Sequence, residues 1–69
     1  MTAEQLVGLD ALRLRWDSVV ACGEQLAVCR WGKLWYLVDR ISGLSLGPNG
    51  GRLDMLAEGR RRIANGDYR

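Results

Sequence analysis

The sequence predicts an α+β fold: an N-terminal helix, a three- to four-stranded antiparallel meander and a C-terminal helix packed on the sheet. Two observations carry most of that prediction. Between Val19 and Leu46 short runs of branched and aromatic residues are cut by Gly23-Glu24, Gly32-Lys33 and Ser42-Gly43, the punctuation of hairpins. An amphipathic helical pattern then runs from Leu53 to Ala64. With 69 residues the chain is expected to be a single domain, 1–69, near the size at which one core barely offsets chain entropy without added support.

At the N-terminus Thr2-Ala3-Glu4-Gln5 has the form of a capping box, so a helix is expected to begin there. Its apolar face reads as Ala3, Leu6, Val7, Ala11 and Leu14, with Asp10 near the middle. A competing reading stands beside it. Leu12-Arg13-Leu14-Arg15-Trp16 alternates with period two, which suits a helix ending near Gly8 and a strand starting near Leu12.

Val19-Val20-Ala21-Cys22, Leu26 to Trp31 and Leu34 to Val38 are the strand runs. A tight Gly32-Lys33 turn sets Trp31 opposite Leu34, Cys29 opposite Tyr36 and Ala27 opposite Val38. One face then carries Ala27, Cys29, Trp31, Leu34, Tyr36 and Val38, and the other Leu26, Val28, Arg30, Trp35, Leu37 and Asp39. Both faces are largely apolar. One helix covers one of them, so the second must meet the N-terminal helix, another subunit or a partner. Leu44-Ser45-Leu46 is expected as a short edge strand and Gly47 to Gly51 as a break, with Asn49 capping the next helix. That helix shows a stripe of Leu53, Leu56, Ala57, Ile63 and Ala64 centred on Arg60, and Asn65-Gly66 supplies its stop. Asp67-Tyr68-Arg69 is expected to fray.

The formal charge of +2, with both signs interspersed, does not suggest a polybasic nucleic-acid tail. No apolar run reaches the roughly 18 residues of a membrane span, and acidic Glu4 and Asp10 argue against a secretory start, so the expected setting is cytoplasmic. Cys22 and Cys29 are too few for a structural zinc site in a chain without histidine. With Gly23-Glu24 as a two-residue turn, Cys22 faces Gln25 and Cys29 lies beyond disulfide reach. The two thiols read as small apolar residues, with an intermolecular disulfide or a reactive thiol as the other use. No cofactor is implied.

Asp10 and Arg60 are each a charge set in an apolar helix face. Three uses are open to them: an ion pair with each other, a snorkelling arginine beside a partly exposed aspartate, or contact with a partner. The lack of histidine removes the commonest general base and the dyads that depend on it. The carboxylates show no paired spacing, so the chain is expected not to be an enzyme. A phosphate cradle at Gly47 to Gly51 lacks the lysine and hydroxyl of a nucleotide loop, and Arg60-Arg61-Arg62 beside Glu58 reads as a solvated face.

The residues expected to touch a partner are Trp31, Trp35, Arg30, Lys33, Arg40 and Arg60. Tryptophan and arginine are favoured contact anchors, and Trp31 and Trp35 point to opposite sheet faces. In size, absence of catalytic residues and sheet-plus-helix layout, the whole chain resembles the compact accessory proteins of bacteriophages and mobile elements, including anti-CRISPR inhibitors. That resemblance implies a non-enzymatic inhibitor that occludes a host defence complex, while the uncovered apolar sheet face or helix stripe is itself expected to bind a protein partner and to make the chain a homodimer. The chain departs from the strongly acidic surface many such inhibitors carry, so nucleic-acid mimicry is not implied. The alternative is DNA binding. Arg30-Trp31-Gly32-Lys33-Leu34-Trp35 is similar to the central hairpin of three-stranded DNA-binding domains of integrase arms and plant transcription factors. Under it Arg30, Lys33 and Arg40 contact phosphate or bases, and Trp35 packs on the DNA backbone.

Overall fold

A computed structural model describes residues 6–69. The element order is α1 (Leu9–Arg15), β1 (Ser18–Cys22), β2 (Leu26–Trp31), β3 (Leu34–Asp39), β4 (Ser45–Gly50) and α2 (Arg52–Ala64). The four strands form one antiparallel meander in the order β1-β2-β3-β4. The predicted α+β layout of helix, meander and C-terminal helix is the observed one. Among the described residues no helix is long and apolar enough to cross a membrane.

The β2–β3 register is the predicted one, with Trp31 opposite Leu34, Cys29 opposite Tyr36 and Ala27 opposite Val38. Both sheet faces are therefore apolar, and each is covered by a helix. On one face Leu26, Val28 and Leu37 join Cys22 and pack under Met55 and Leu56 of α2, with Trp35, Leu46, Ile63 and Tyr68 around them. On the other, Ala27, Cys29 and Val38 pack under Leu12 of α1, with Val19, Trp16 and Tyr36 beside them. The result is a three-layer molecule with a core on each side of the sheet.

α1 departs from its expected start and face. The capping box at Thr2 to Gln5 lies outside the described residues, and Leu6 to Gly8 are not helical. The Val7 N–H donates to the Arg40 carbonyl (2.7 Å) and the Arg40 Nε donates to the Val7 carbonyl (3.0 Å). This anchored segment resets the helical phase from Leu9, so Leu9, Leu12 and Trp16 face the sheet. Leu14, expected inside, is 89% exposed and Leu12 is fully buried. The period-two reading of Leu12 to Trp16 does not hold either, since Leu12 to Arg15 are helical.

The β1–β2 connection has three residues and not two. Cys22 pairs with Leu26, so Gly23, Glu24 and Gln25 form the loop. With both faces apolar, the hydrophobic pattern had no means of choosing between registers one residue apart. The choice comes from the C-terminus: the Arg69 backbone oxygen accepts the N–H groups of both Glu24 and Gln25. Gly23, at φ +70, lies against the Arg69 backbone and the Ile63 side chain, where a Cβ would collide. The tail expected to fray is thus docked, and Tyr68 is half-buried against the core.

β4 is longer than expected. Gly47 to Gly50, read as a break, continue the strand, with Leu46 opposite Leu37 and Asn49 opposite Tyr36. Gly47 and Pro48 are the surplus residues of an irregularity at that point. An edge strand can hold a proline because its outer N–H needs no partner. Asn49 is therefore not the helix cap. Gly51 is, with no side-chain cap, and Asp54 supplies negative charge in the first turn.

α2 is rotated from its predicted stripe. Met55, Leu56 and Gly59 are the buried positions, while Leu53 is 70% exposed and Ala57, Arg60 and Ala64 are also exposed. Gly59 explains the rotation. A Cβ there would stand 2.7 Å from the Cys22 Sγ and 3.2 Å from Leu37 Cδ1, so the glycine is the point of closest approach between helix and sheet. The stop falls as predicted. Gly66 has φ +86, its N–H donates to the Ile63 carbonyl, and the Asp67 N–H donates to the Arg62 carbonyl, which is the Schellman pattern.

Candidate binding surface at the hairpin tip

The tip of the β2–β3 hairpin is built by residues distant in sequence. Gly32 takes φ +65, which the tight turn requires. Its N–H donates to the Asp17 carboxylate (2.7 Å) and its carbonyl accepts from the Arg30 guanidinium (2.9 Å), while Arg30 and Asp17 stand 3.8 Å apart. Both polar groups of the turn glycine are thus held by side chains, which fixes the direction of Trp31, Lys33 and Leu34.

Trp16, at the end of α1, lies against this tip. Its ring meets Trp31 edge-on with centroids 6.1 Å apart, and meets Tyr36 at 5.5 Å and a tilted angle. Such edge contacts match the quadrupoles of the rings and hold them in place. Trp31 nevertheless remains 61% exposed and Leu34, opposite it, 43%. α1 is only seven residues long and ends at Arg15, with Trp16 as its C-cap, so it leaves this end of its face uncovered. Among the described residues there is no pocket, and the rings present a surface without a cleft. Lys33 in the turn and Arg15 next to Trp16 are exposed, and neither makes an ion pair among the described residues.

The predicted contact residues do not converge on one place. Trp31, Lys33 and Arg30 meet at the hairpin tip, but Arg30 is occupied with Gly32 and Asp17. Trp35 lies on the opposite face, half-buried with the α2 core. Arg40 sits at the far end of β3, where its guanidinium donates to the carbonyls of Val7 (3.0 Å) and Glu24 (3.0 Å). That geometry makes it a clamp between the N-terminal segment and the β1–β2 loop. Arg60 is exposed on α2. It cannot pair with Asp10, because α1 and α2 lie on opposite faces of the sheet. Asp10 pairs instead with Arg13 at 3.0 Å.

Trp16, Leu34 and Asp17 also belong to the tip, where sequence reasoning does not place them as contacts or supports. Trp16 and Leu34 carried a visible apolar signal. Asp17 carried none, since its partner is fifteen residues away. The two cysteines are free and lie on opposite sides of the sheet, which rules out a disulfide between them in this fold. Burial pushes the Cys29 thiol up to about 11 and raises that of Cys22 as well, the latter offset in part by the Arg60 charge. Neither is an activated nucleophile in this state.

Comparison with known proteins returned no matching family model, no matching curated protein and no matching solved structure.

Proposed function

We propose that this protein is a non-enzymatic binding module that takes an acidic protein segment on the tip of the β2–β3 hairpin. The carrying observation is Trp31, an indole that is largely exposed yet held in one orientation by Trp16 and the braced turn. Leaving a large apolar side chain in water forgoes roughly 1.5–3 kcal/mol of burial, and a fixed ring loses little entropy when a partner covers it. Leu34 extends the apolar contact. Lys33 in the turn and Arg15, next to Trp16 in sequence, add positive charge without an ion pair among the described residues, which suits a partner with carboxylates around an aliphatic or aromatic anchor. In the inhibitor form of this reading, the tip seats on a host protein complex and blocks it by bulk.

The DNA alternative gains no support from the geometry. A sheet face enters a duplex groove only if it is free, and here α1 lies on one face and α2 on the other.

The test is a nuclear magnetic resonance titration with a peptide carrying Glu and Asp around a single Leu or Trp. Shifts should centre on the Trp31 indole, Lys33 and Leu34. Trp31→Ala should weaken binding by about tenfold or more, equivalent to about 1.4 kcal/mol, while the fold is kept. A parallel salt series with random duplex DNA covers the alternative. Shifts confined to other surfaces, or DNA binding that falls steeply with salt and no response to peptide, reject the proposal.

A further inference from the structure

The two edges of the sheet are unlike. β4 carries Gly47, Pro48 and an irregular register, devices that blunt an edge against strand pairing. β1 carries none of them. Its sequence, Ser18-Val19-Val20-Ala21-Cys22, contains no charge, no proline and no glycine, and two adjacent β-branched residues favour extended pairing. Among the described residues, Ser18 to Cys22 make no backbone hydrogen bond beyond their pairing with β2. α1 lies against β1, with Leu12 packed on Ala27, Cys29 and Val38, and α2 packs most closely on β3. The helices cover the faces of the sheet and make no backbone hydrogen bond to the outer edge of β1.

We infer that β1 pairs antiparallel with β1 of a second copy, joining two sheets into one of eight strands. The register that pairs all five residues places Val20 opposite Val20 on the two-fold axis, Val19 opposite Ala21 and Ser18 opposite Cys22. Every one of these pairs is neutral, so the strand is complementary to itself with no like-charge repulsion. Half-buried Val19 and Val20 belong to opposite cores, and pairing covers the open flank of each. It also supplies the additional support that a chain of this size is expected to need. The contact is narrow, which places it at the weak end of the range for specific interfaces. This surface is separate from the hairpin tip, so the two readings stand or fall independently.

Sedimentation velocity across a concentration series, combined with amide hydrogen exchange, tests it. The native chain should form a dimer with a dissociation constant on the order of 100 µM, and β1 amides should gain protection as the dimer forms. Ala21→Lys places a charge at an exposed position of the edge. It should shift the dimer to monomer with an unchanged melting profile, while Trp31→Ala should leave dimerisation intact. A chain that stays monomeric to about 1 mM, a dimer whose β1 amides exchange at the monomer rate, or a dimer lost through Trp31→Ala overturns the inference.

Discussion

Gly59 shows how much one missing methyl can position. As a helix-interior glycine it costs about 1 kcal/mol of helix propensity relative to alanine. Its close approach to Cys22 and Leu37 leaves no room for that methyl. Overpacking of this kind costs about 1–3 kcal/mol, so the steric term should win and Gly59→Ala should lower stability in urea unfolding. In a Cys22→Ala background the nearest obstructing atom is gone, and the same change should become neutral or stabilising. Equal effects in the two backgrounds would show that Cys22 does not set the spacing. Cys29 offers a second test at this scale. Its folded thiol stays protonated to about pH 11, whereas an unperturbed thiol ionises near 9.0. Above pH 9 the unfolded chain therefore binds fewer protons than the native one, and stability falls as pH rises toward 11, by roughly 2–3 kcal/mol in all. Cys22 adds to the loss in the same direction. Cys29→Ala should flatten about half or more of that alkaline slope in denaturation curves, and an unaltered slope would assign it to other groups.

Between elements, the phase of α1 decides which leucine matters. Two turns of helix are too short to be stable alone, so α1 exists because Leu12 and Trp16 are docked on the sheet. Leu12→Ala should cost about 2–5 kcal/mol and Leu14→Ala less than about 0.5 kcal/mol, as read from denaturation midpoints. The reverse order would restore the face on which Leu14 points inward. The docking of α1 begins before its first turn, at the Arg40 clamp. Arg40→Gln removes charge-assisted hydrogen bonds to Val7 and Glu24 and should cost about 1.5–3 kcal/mol, with faster amide exchange in both the residue 6–8 segment and the β1–β2 loop. Faster exchange confined to one of them would mean that the arginine does not couple the two. The same scale explains which contact candidates survive. Trp31, Trp35 and Arg30 lie on the β2–β3 hairpin and Arg40 directly follows it, but only the end that α1 does not reach leaves an indole uncovered.

For the molecule as a whole, the sheet is a shared wall. Leu26, Val28 and Leu37 face one core while Ala27, Cys29 and Val38 face the other, so neither core persists if β2 and β3 separate. Unfolding should therefore be one cooperative transition. Fluorescence of variants that retain only Trp16, on the α1 side, or only Trp35, on the α2 side, should give coincident denaturant midpoints once each variant's own stability is matched by circular dichroism. Separate midpoints within one variant would divide the molecule into two cooperative units. Two thin layers over one small sheet also explain the surface. There is enough apolar sequence to form two cores, but a seven-residue helix cannot roof its whole face, and Trp31 and Leu34 remain at the margin.

Local signals in the chain are enough to set the order of elements, the β2–β3 register and the stop of α2. Each follows from signals within a few residues: strand runs separated by turn glycines, and Asn65-Gly66 closing a helix. Even the placement of Trp31 and Trp35 on opposite faces was legible, because a strand alternates regardless of what covers it. The remaining features come from contacts between distant parts of the chain. The start of α1 depends on Arg40, the β1–β2 loop on Arg69, the rotation of α2 on the space beside Cys22, and the bracing of the hairpin on Asp17. These are contacts across long stretches of chain, and where both faces of a sheet are apolar, local pattern has no power to choose among registers and faces that such contacts separate.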